Sequence, residues 1–502
     1  MNLHDRSSKV NGRDPLTTAP PEEESTTVRL FSLEGHPMTA ESVLAPPAAG
    51  TAARRGVPLL AAGATFLAML DATVANLAVP DLHADFPAAS LSGLTWVITL
   101  YAVLFAALLA PAGRLADVVG RRALFQAGVG LFTLASLACA AAPNVPVLLA
   151  TRGVQGAAAA AMIPASLALL LHDTPPERRA RAIGLWSAAG AFAAAIGPSL
   201  GGVLVDAFGW RSLFAINLPV GAAMLLAGLR LPRASGGRGR LPDLAGTLLL
   251  GGGVGGLALG VTQTRDWAWT DARTLGLLLG GAALIALALR RSARHPVPAL
   301  EISLWRSRSF AVANAASFLY GTALYSWLLL GVLFVTDQWH YSVLKAGFAS
   351  TPGALTATAA AIATGRLTGR LGARPAVAGG ALTMVAAGIW TCAALPAEPH
   401  FLTFWLPVGL LVGAGMGAVG TGTATAAALS VGPLRFAGAT GLNTTARQLG
   451  GALGIAVLAA LLPSPASHGD YTSVYLFCTL AAAGAALTGL LLNVRAPRPT
   501  DD

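Results

Sequence analysis

From residue 57 to residue 493 the chain alternates long apolar runs with short polar joints that carry most of its arginines. The runs lie near 57–80, 92–112, 123–142, 147–170, 182–205, 212–231, 243–262, 274–290, 309–335, 344–364, 375–395, 402–429, 438–462 and 473–493. A helix rises 1.5 Å per residue, so about 20 apolar residues cross a hydrocarbon layer about 30 Å thick. The pattern predicts an all-α integral membrane fold with fourteen transmembrane helices. Residues 1–54 are polar, Pro-rich and aperiodic, which predicts a disordered tail. They hold no early apolar segment of the signal-peptide kind, and Met38 is a second candidate start.

Charge sets the expected orientation. With residues 1–54 in the cytoplasm, the cytoplasmic loops and tails hold 27 of the 33 Lys and Arg. The outer loops hold four (Arg211, Arg265, Arg273 and Lys345), and Arg152 and Arg447 fall within spans. Basic loops stay on the cytoplasmic side of a membrane, so fourteen helices with both termini inside are expected. Thirteen or fifteen would mix the basic loops between the two sides.

The joint after the second run reads GRLADVVGRR (113–122), and the joint after the tenth reads GRLTGRLGAR (365–374). Gly113, Arg114, Leu115, Gly120 and Arg122 recur as Gly365, Arg366, Leu367, Gly372 and Arg374. Residues 57–231 and 309–493 therefore read as duplicated six-helix halves, 243–290 as an inserted helix pair, and 494–502 as a second cytoplasmic tail. Two parallel halves around a midplane site are a transporter architecture.

Composition narrows the function classes. The chain is 54% hydrophobic and 11% charged, where soluble domains carry about 25% charged residues. A net charge of +10 invites nucleic acid as a partner, but the basic residues are scattered in short clusters between apolar runs, so none is expected. The Ala/Gly/Arg bias suits a GC-rich bacterial genome. Cys139, Cys392 and Cys478 lie in three different apolar runs and suggest neither disulfides nor a metal site. A P-loop needs a Gly-Lys pair, yet Lys9 follows Ser8 and Lys345 follows Leu344, which argues against an ATP-driven pump. Asp81, His83 and Asp85 come nearest to the ligand cluster a membrane enzyme would need. Their spacing lacks further ligands and reads as a solvated loop, so no metal and no cofactor are expected.

Two charged residues stand out inside the runs. Asp71 is the only carboxylate deep in any of them, nine residues from the outer end, or about 14 Å. A charge there costs at least ~2.5 kcal/mol and marks a functional site. The bland alternative is a structural Asp bonded to polar neighbours or to Arg. All eight histidines lie in tails, loops or run ends, which leaves Asp71 as the candidate proton carrier. Arg152 lies about 8 Å inside the outer end of the fourth run and either partners Asp71 or snorkels to the outer headgroups.

Several motifs carry a resemblance over nearly all of the chain after residue 56. LDATVANLAVP (70–80), RGVQGAAAA (152–160), the loop 113–122, GAFAAAIGPSLGG (190–202), WRSLFAINLPVG (210–221) and NTTARQLGGALG (443–454) resemble signatures of the major facilitator superfamily, in its fourteen-helix drug:proton antiporter branch. The resemblance implies that helices 1 and 4 line a cavity, with Asp71 and Arg152 coupling protons. It implies a substrate cavity that includes Asn76, Gln155, Asn443 and Arg447. For Arg447 two readings stay open, a cavity wall that favours anionic groups or a bond to a carbonyl. It implies a cytoplasmic gate at Gly113, Arg114, Asp117, Gly120 and Arg121, with Asp117 and Arg121 in charge contacts between the halves. Gly113 and Gly120 suit tight turns with positive φ. The second copy has Gly369 in place of Asp117, so it is expected to lack that contact. The fifth-helix motif (Gly190, Gly197, Pro198, Gly201 and Gly202) marks exporters over importers in the superfamily.

The expected function is therefore proton-coupled export of small, hydrophobic drugs or antibiotics by alternating access, with no enzymatic step. Proton-coupled import and a multi-spanning membrane enzyme are the alternatives. The expected setting is a bacterial plasma membrane, with a small-molecule substrate, protons and lipid as partners and a monomeric chain. Trp96, Tyr101, Phe318, Tyr320, Tyr325 and Trp327 are candidates to stack on a flat substrate, whereas Trp339 and Tyr341 fit interface anchors.

Overall fold

The computed structural model describes residues 51–231, 242–263, 267–462 and 466–493. Both predicted tails, apart from residues 51–54, lie outside them. The described residues form α1 (Thr51–Val74, continued by a 3₁₀ turn Ala75–Ala78 and by Val79–Asp85), α2 (Leu91–Val119), α3 (Arg121–Ala140) and α4 (Val145–His172). These are followed by α5 (Arg179–Phe208), α6 (Asn217–Gly228, after a short turn Ser212–Ala215), α7 (Leu244–Thr262) and α8 (Ala272–Ser292). The chain continues through α9 (Arg308–Asp337), α10 (Val343–Leu371), α11 (Ala373–Ala394), α12 (Leu406–Leu429), α13 (Phe436–Leu461) and α14 (His468–Leu490). Each predicted run has one helix, because a backbone in hydrocarbon must bond to itself.

Twelve of these helices are long and apolar enough to cross a membrane. The stretch Ser212–Gly228 is too short, and Val343–Leu371, although 29 residues long, falls short in apolar character because Thr, Ser and Gly interrupt it. The expectation of fourteen spans is thus met for twelve. The first helix also runs further than its run predicts. Asp81, His83 and Asp85 sit on its last turns rather than on a loop. Asp85 accepts from the indole of Trp210 at 2.8 Å and pairs with Arg211 at 2.8 Å. Among the described residues no three His, Cys, Asp or Glu side chains gather as a metal site.

Burial explains the Ala and Gly content. Leu134, Leu226, Leu279 and Leu402 are each more than 60% exposed, while small residues fill the helix contacts. Helices in lipid gain from close backbone approach rather than from burying leucine, since lipid tails are as apolar as leucine. Within the first six helices α1 packs on α4, α5 and α6, α2 on α4, and α3 on α4 and α6. Within the last six, α9 packs on α12, α13 and α14, α10 on α12, and α11 on α12 and α14. The groups join mainly through α2 with α13 and α5 with α10, with lesser contacts of α4 with α13 and α5 with α12. The pair α7 and α8 packs on itself, and α7 lies against α2 and α13. Arg291 at the end of α8 forks onto Asp243, before α7, at 2.9 Å through Nη2 and also through Nε. That guanidinium holds the Asp243 carboxyl below the usual carboxylate range.

The aromatics divide otherwise than expected. Trp327 packs edge-on to Tyr475 at 5.1 Å inside the core of the last six helices, so it is not free to stack on a substrate. Trp339 is buried against Phe334 and Trp405, with its indole N–H on the Pro396 carbonyl, and is a core residue rather than an interface anchor.

The repeated joint behaves alike in both copies at two positions. Gly120 between α2 and α3 has φ 116°, and Gly372 between α10 and α11 has φ 79°. Gly113 does not need positive φ, contrary to the turn expectation. It lies inside α2, where a Cβ would strike the Ala437 carbonyl of α13. Its counterpart Gly365 meets Gly184 of α5 in the same manner. Gly120→Ala is expected to lower stability by about 1–3 kcal/mol, because an L side chain is strained there. Gly276→Ala, where a Cβ meets open space, is the control. Thermal unfolding in detergent should show a lower Tm for the first variant and no loss for the second.

Candidate functional site

Inside the first six helices lies a sealed polar centre. Asp71 of α1, Ser136 of α3, Arg152 and Gln155 of α4 and Asn217 of α6 are all 0% exposed. Arg152 Nη1 donates to Asp71 Oδ2 at 2.6 Å. Gln155 Nε2 and Asn217 Nδ2 donate to Asp71 Oδ1 at 2.8 and 2.9 Å. The same two amides donate to Ser136 Oγ, each at 2.8 Å. Arg152 Nη1 also reaches Gln155 Oε1 at 2.7 Å, and its Nε reaches the Val97 carbonyl of α2 at 2.9 Å. The guanidinium lies 4.4 Å from the Tyr101 ring centroid and 5.5 Å from that of Phe214. An ionised carboxylate accepts only, and here three donors converge on one. Taking both charges from water costs several kcal/mol per ion, and the ion pair with its added bonds offsets that cost.

A second cluster ties α2 to the start of α13. Asp117 accepts from the backbone N–H of Gly438 at 2.8 Å and of Ala437 at 3.3 Å. These are first-turn amides with no partner inside their own helix, and a carboxylate is favoured there. Arg121 pairs with Asp117 at 3.2 Å and also donates to the Pro433 carbonyl. The joint between α8 and α9 adds Glu301, which pairs with Arg435 at 2.8 Å and Arg114 at 3.6 Å. For Asp117 and Arg121 the contact across helices is therefore carboxylate to helix N-terminus and guanidinium to carbonyl, and within this cluster opposite charges meet across elements only at Glu301 among the described residues. Among the described residues Arg366 and Arg370 of the second copy form no ion pair, and Gly369 has no side chain to offer one. A hydrogen bond to a charged group contributes about 1.5–3 kcal/mol. Asp117→Ala should therefore raise hydrogen–deuterium exchange at Ala437 and Gly438 by about tenfold, and unchanged exchange would mean the carboxylate does not hold that turn.

The profile of the Major Facilitator Superfamily matches residues 61–455 and 313–502. The chain belongs to the Major Facilitator Superfamily. Multidrug resistance protein Stp of Mycobacterium tuberculosis is 36% identical over 400 residues, 79% of this chain and 74% of the relative. The probable actinorhodin transporter of Streptomyces coelicolor is 34% identical over 461 residues, 88% and 78% of the two chains. The solved structure of the human organic anion transporter MFSD10 superposes with a TM-score of 0.62 over 89% of this chain and all of that one. At 17% identity that likeness concerns the fold alone. The chain is thus a multi-span membrane transporter of this superfamily and not an enzyme.

The structure relocates several residues expected in the cavity. Gln155 is not on a cavity wall, because its amide is fully engaged with Asp71, Ser136 and Arg152. Arg152 does not snorkel, being fully buried against Asp71. Asn443 is 2% exposed and ties α13 to Ser317 and to the Ala313 carbonyl of α9. Asn76 is exposed on the 3₁₀ turn, apart from the Asp71 centre. Arg447 is half-buried and makes no hydrogen bond or ion pair among the described residues, which removes the carbonyl reading. The fifth-helix motif seats α5 on α1. A Cβ at Gly190 would meet Thr65, at Gly197 Thr73 and at Gly201 Leu77, while Gly202 and Pro198 face Leu344 and Gly347 of α10. Sequence reasoning missed Asn217 and Ser136. The signal for Asn217 was an amide inside the sixth apolar run.

Proposed function

We propose that the chain exports small, hydrophobic drugs or antibiotics in exchange for protons. The observation that carries this reading is a fully buried carboxylate, Asp71, held by Arg152, Gln155 and Asn217 in the midst of four other helices. Protonation would remove the charge that orders all three donors. Arg152 would then lack its anion, and α1, α4 and α6 would lose the bonds that fix them together. Such a centre links proton occupancy to helix position. The names of the relatives support drugs as cargo, and the fifth-helix motif supports the outward direction.

In this reading 57–231 and 309–493 are six-helix halves, and 243–290 is an inserted pair. The short α6 and the weakly apolar α10 cross the membrane with the other twelve, since both pack inside the bundle and the basic loops then share one side. Both termini are cytoplasmic, the membrane is a bacterial plasma membrane, and the chain works as a monomer. The halves rock about the α2–α13 and α5–α10 contacts. The Asp117 cluster holds the cytoplasmic side shut in the state described and parts when the cavity opens inward. One proton falling through 100 mV supplies about 2.3 kcal/mol, enough for a gradient of nearly fifty-fold. Inverted vesicles with an established proton gradient test the reading. Adding a hydrophobic drug should release protons in proportion to its uptake, and silence towards a broad drug set would sink proton-coupled drug export.

A further inference from the structure

Arg447 is the side chain that the Asp71 centre and the Asp117 cluster leave unexplained. It lies eleven residues into α13, roughly 16 Å from the start of that helix, where lipid offers a charge nothing. It keeps part of its surface open, and among the described residues no carboxylate or carbonyl fills its donors. The other deep arginine is treated in the opposite way. Arg152 is sealed and paired with an anion. A guanidinium carries five N–H donors in a planar fork and never loses its charge at working pH. One left open at mid-depth is costly unless something in the transport cycle occupies it.

Its surroundings define what fits. Arg447 sits where α13 meets α9, since a Cβ at Gly321 would strike its carbonyl, and Tyr320 and Tyr325 come from the same stretch of α9. Tyr101 lies on α2, which packs on α13 from the other six-helix group. Each of these hydroxyls already donates to the protein, Tyr320 to the Met416 carbonyl at 2.9 Å, Tyr325 to Gln448 Oε1, and Tyr101 to the Ala68 carbonyl at 3.3 Å. Tyr101 and Tyr320 are buried, with the Arg152 guanidinium over the Tyr101 ring, which leaves the half-buried Tyr325 ring and the open donors of Arg447 to a ligand. Asp71 cannot serve it, since Arg152, Gln155 and Asn217 occupy that carboxylate.

We infer that Arg447 is the specificity-determining residue for an acidic group borne on an aromatic frame, so that the cargo is an organic anion rather than a cation. The carboxylate or phenolate of such a compound takes the guanidinium fork, and its ring lies against Tyr325. Release of the anion returns Arg447 to the open state described. This inference rests on the export reading in taking the space between α2, α9 and α13 as the substrate's.

The test uses the full-length chain in detergent, with no proton gradient, and two fluorescent aromatic probes of opposite charge, fluorescein and ethidium. Wild type should bind fluorescein, and Arg447→Gln should weaken that binding by about tenfold or more, the loss expected when a charged hydrogen bond goes. Arg447→Lys should retain part of the affinity, since it keeps the charge but not the fork. Ethidium binding should stay within about twofold of wild type or improve in Arg447→Gln, a change that simple damage to packing would not produce. Three results overturn the inference. They are no fluorescein binding to wild type, equal fluorescein affinity in wild type and Arg447→Gln, and parallel loss of both probes. The export reading fails separately. A chain that binds fluorescein through Arg447 yet moves no protons keeps the anion site and loses the antiport.

Discussion

Asp71→Asn is expected to reach the membrane folded and to show no drug-driven proton release, against a full response in wild type. Asparagine keeps the shape of the side chain and one acceptor oxygen, so Gln155 or Asn217 retains a partner. It cannot take up or give up a proton. Drug exchange without a gradient should survive, since among the described residues no hydrogen bond joins Arg447 to Asp71, Arg152, Gln155 or Asn217. Proton flux and drug:drug counterflow in the same vesicles check both halves of the expectation. Intact proton flux in the variant would make Asp71 a purely structural acid.

The second large effect is on stability. Asp71→Asn leaves Arg152, 0% exposed, without its anion, and Arg152→Gln leaves Asp71 with two amides in place of three donors. Removing one partner of a buried ion pair costs about 3–5 kcal/mol, whereas removing both is often near neutral. The double variant Asp71→Asn with Arg152→Gln should therefore be more stable than either single one. Thermal unfolding in detergent should show both single variants melting well below wild type and the double variant recovering most of the loss. It should stay silent in the proton assay, which separates folding from coupling. Additive losses would mean that the two side chains do not act as a pair.

The helices were legible because a membrane leaves a spanning backbone one economical choice. A run such as 147–170 must bond within itself, so hydropathy alone marks it. The repeated joint was legible for a related reason. Gly120 and Gly372 both adopt positive φ where one helix stops and the next begins, and glycine tolerates that without strain. The depth of Asp71 and Arg152 followed from counting residues, because a helix advances at a fixed rise. That arithmetic could not show whether two residues at similar depth face each other, and so Arg152 was open to a snorkelling reading.

Tertiary packing decided the rest. The Asp71 centre draws on α1, α2, α3, α4 and α6, and no local period in the chain brings Ser136 or Asn217 to a carboxylate 65 and 146 positions away. Gly113 looked like a turn residue, yet its role is the approach of α2 to Ala437, which a rotation of either helix would abolish. Gln155 and Asn443 looked like cavity residues because a polar side chain in an apolar run must face something polar. Whether that is a ligand or another side chain depends on which helix lies opposite. Hydrophobic pattern and charge balance thus settle which segments enter the bilayer. The rotation and pairing of those segments, set by small-residue contacts between helices, settle which polar groups are sealed together and which, like Arg447, remain open.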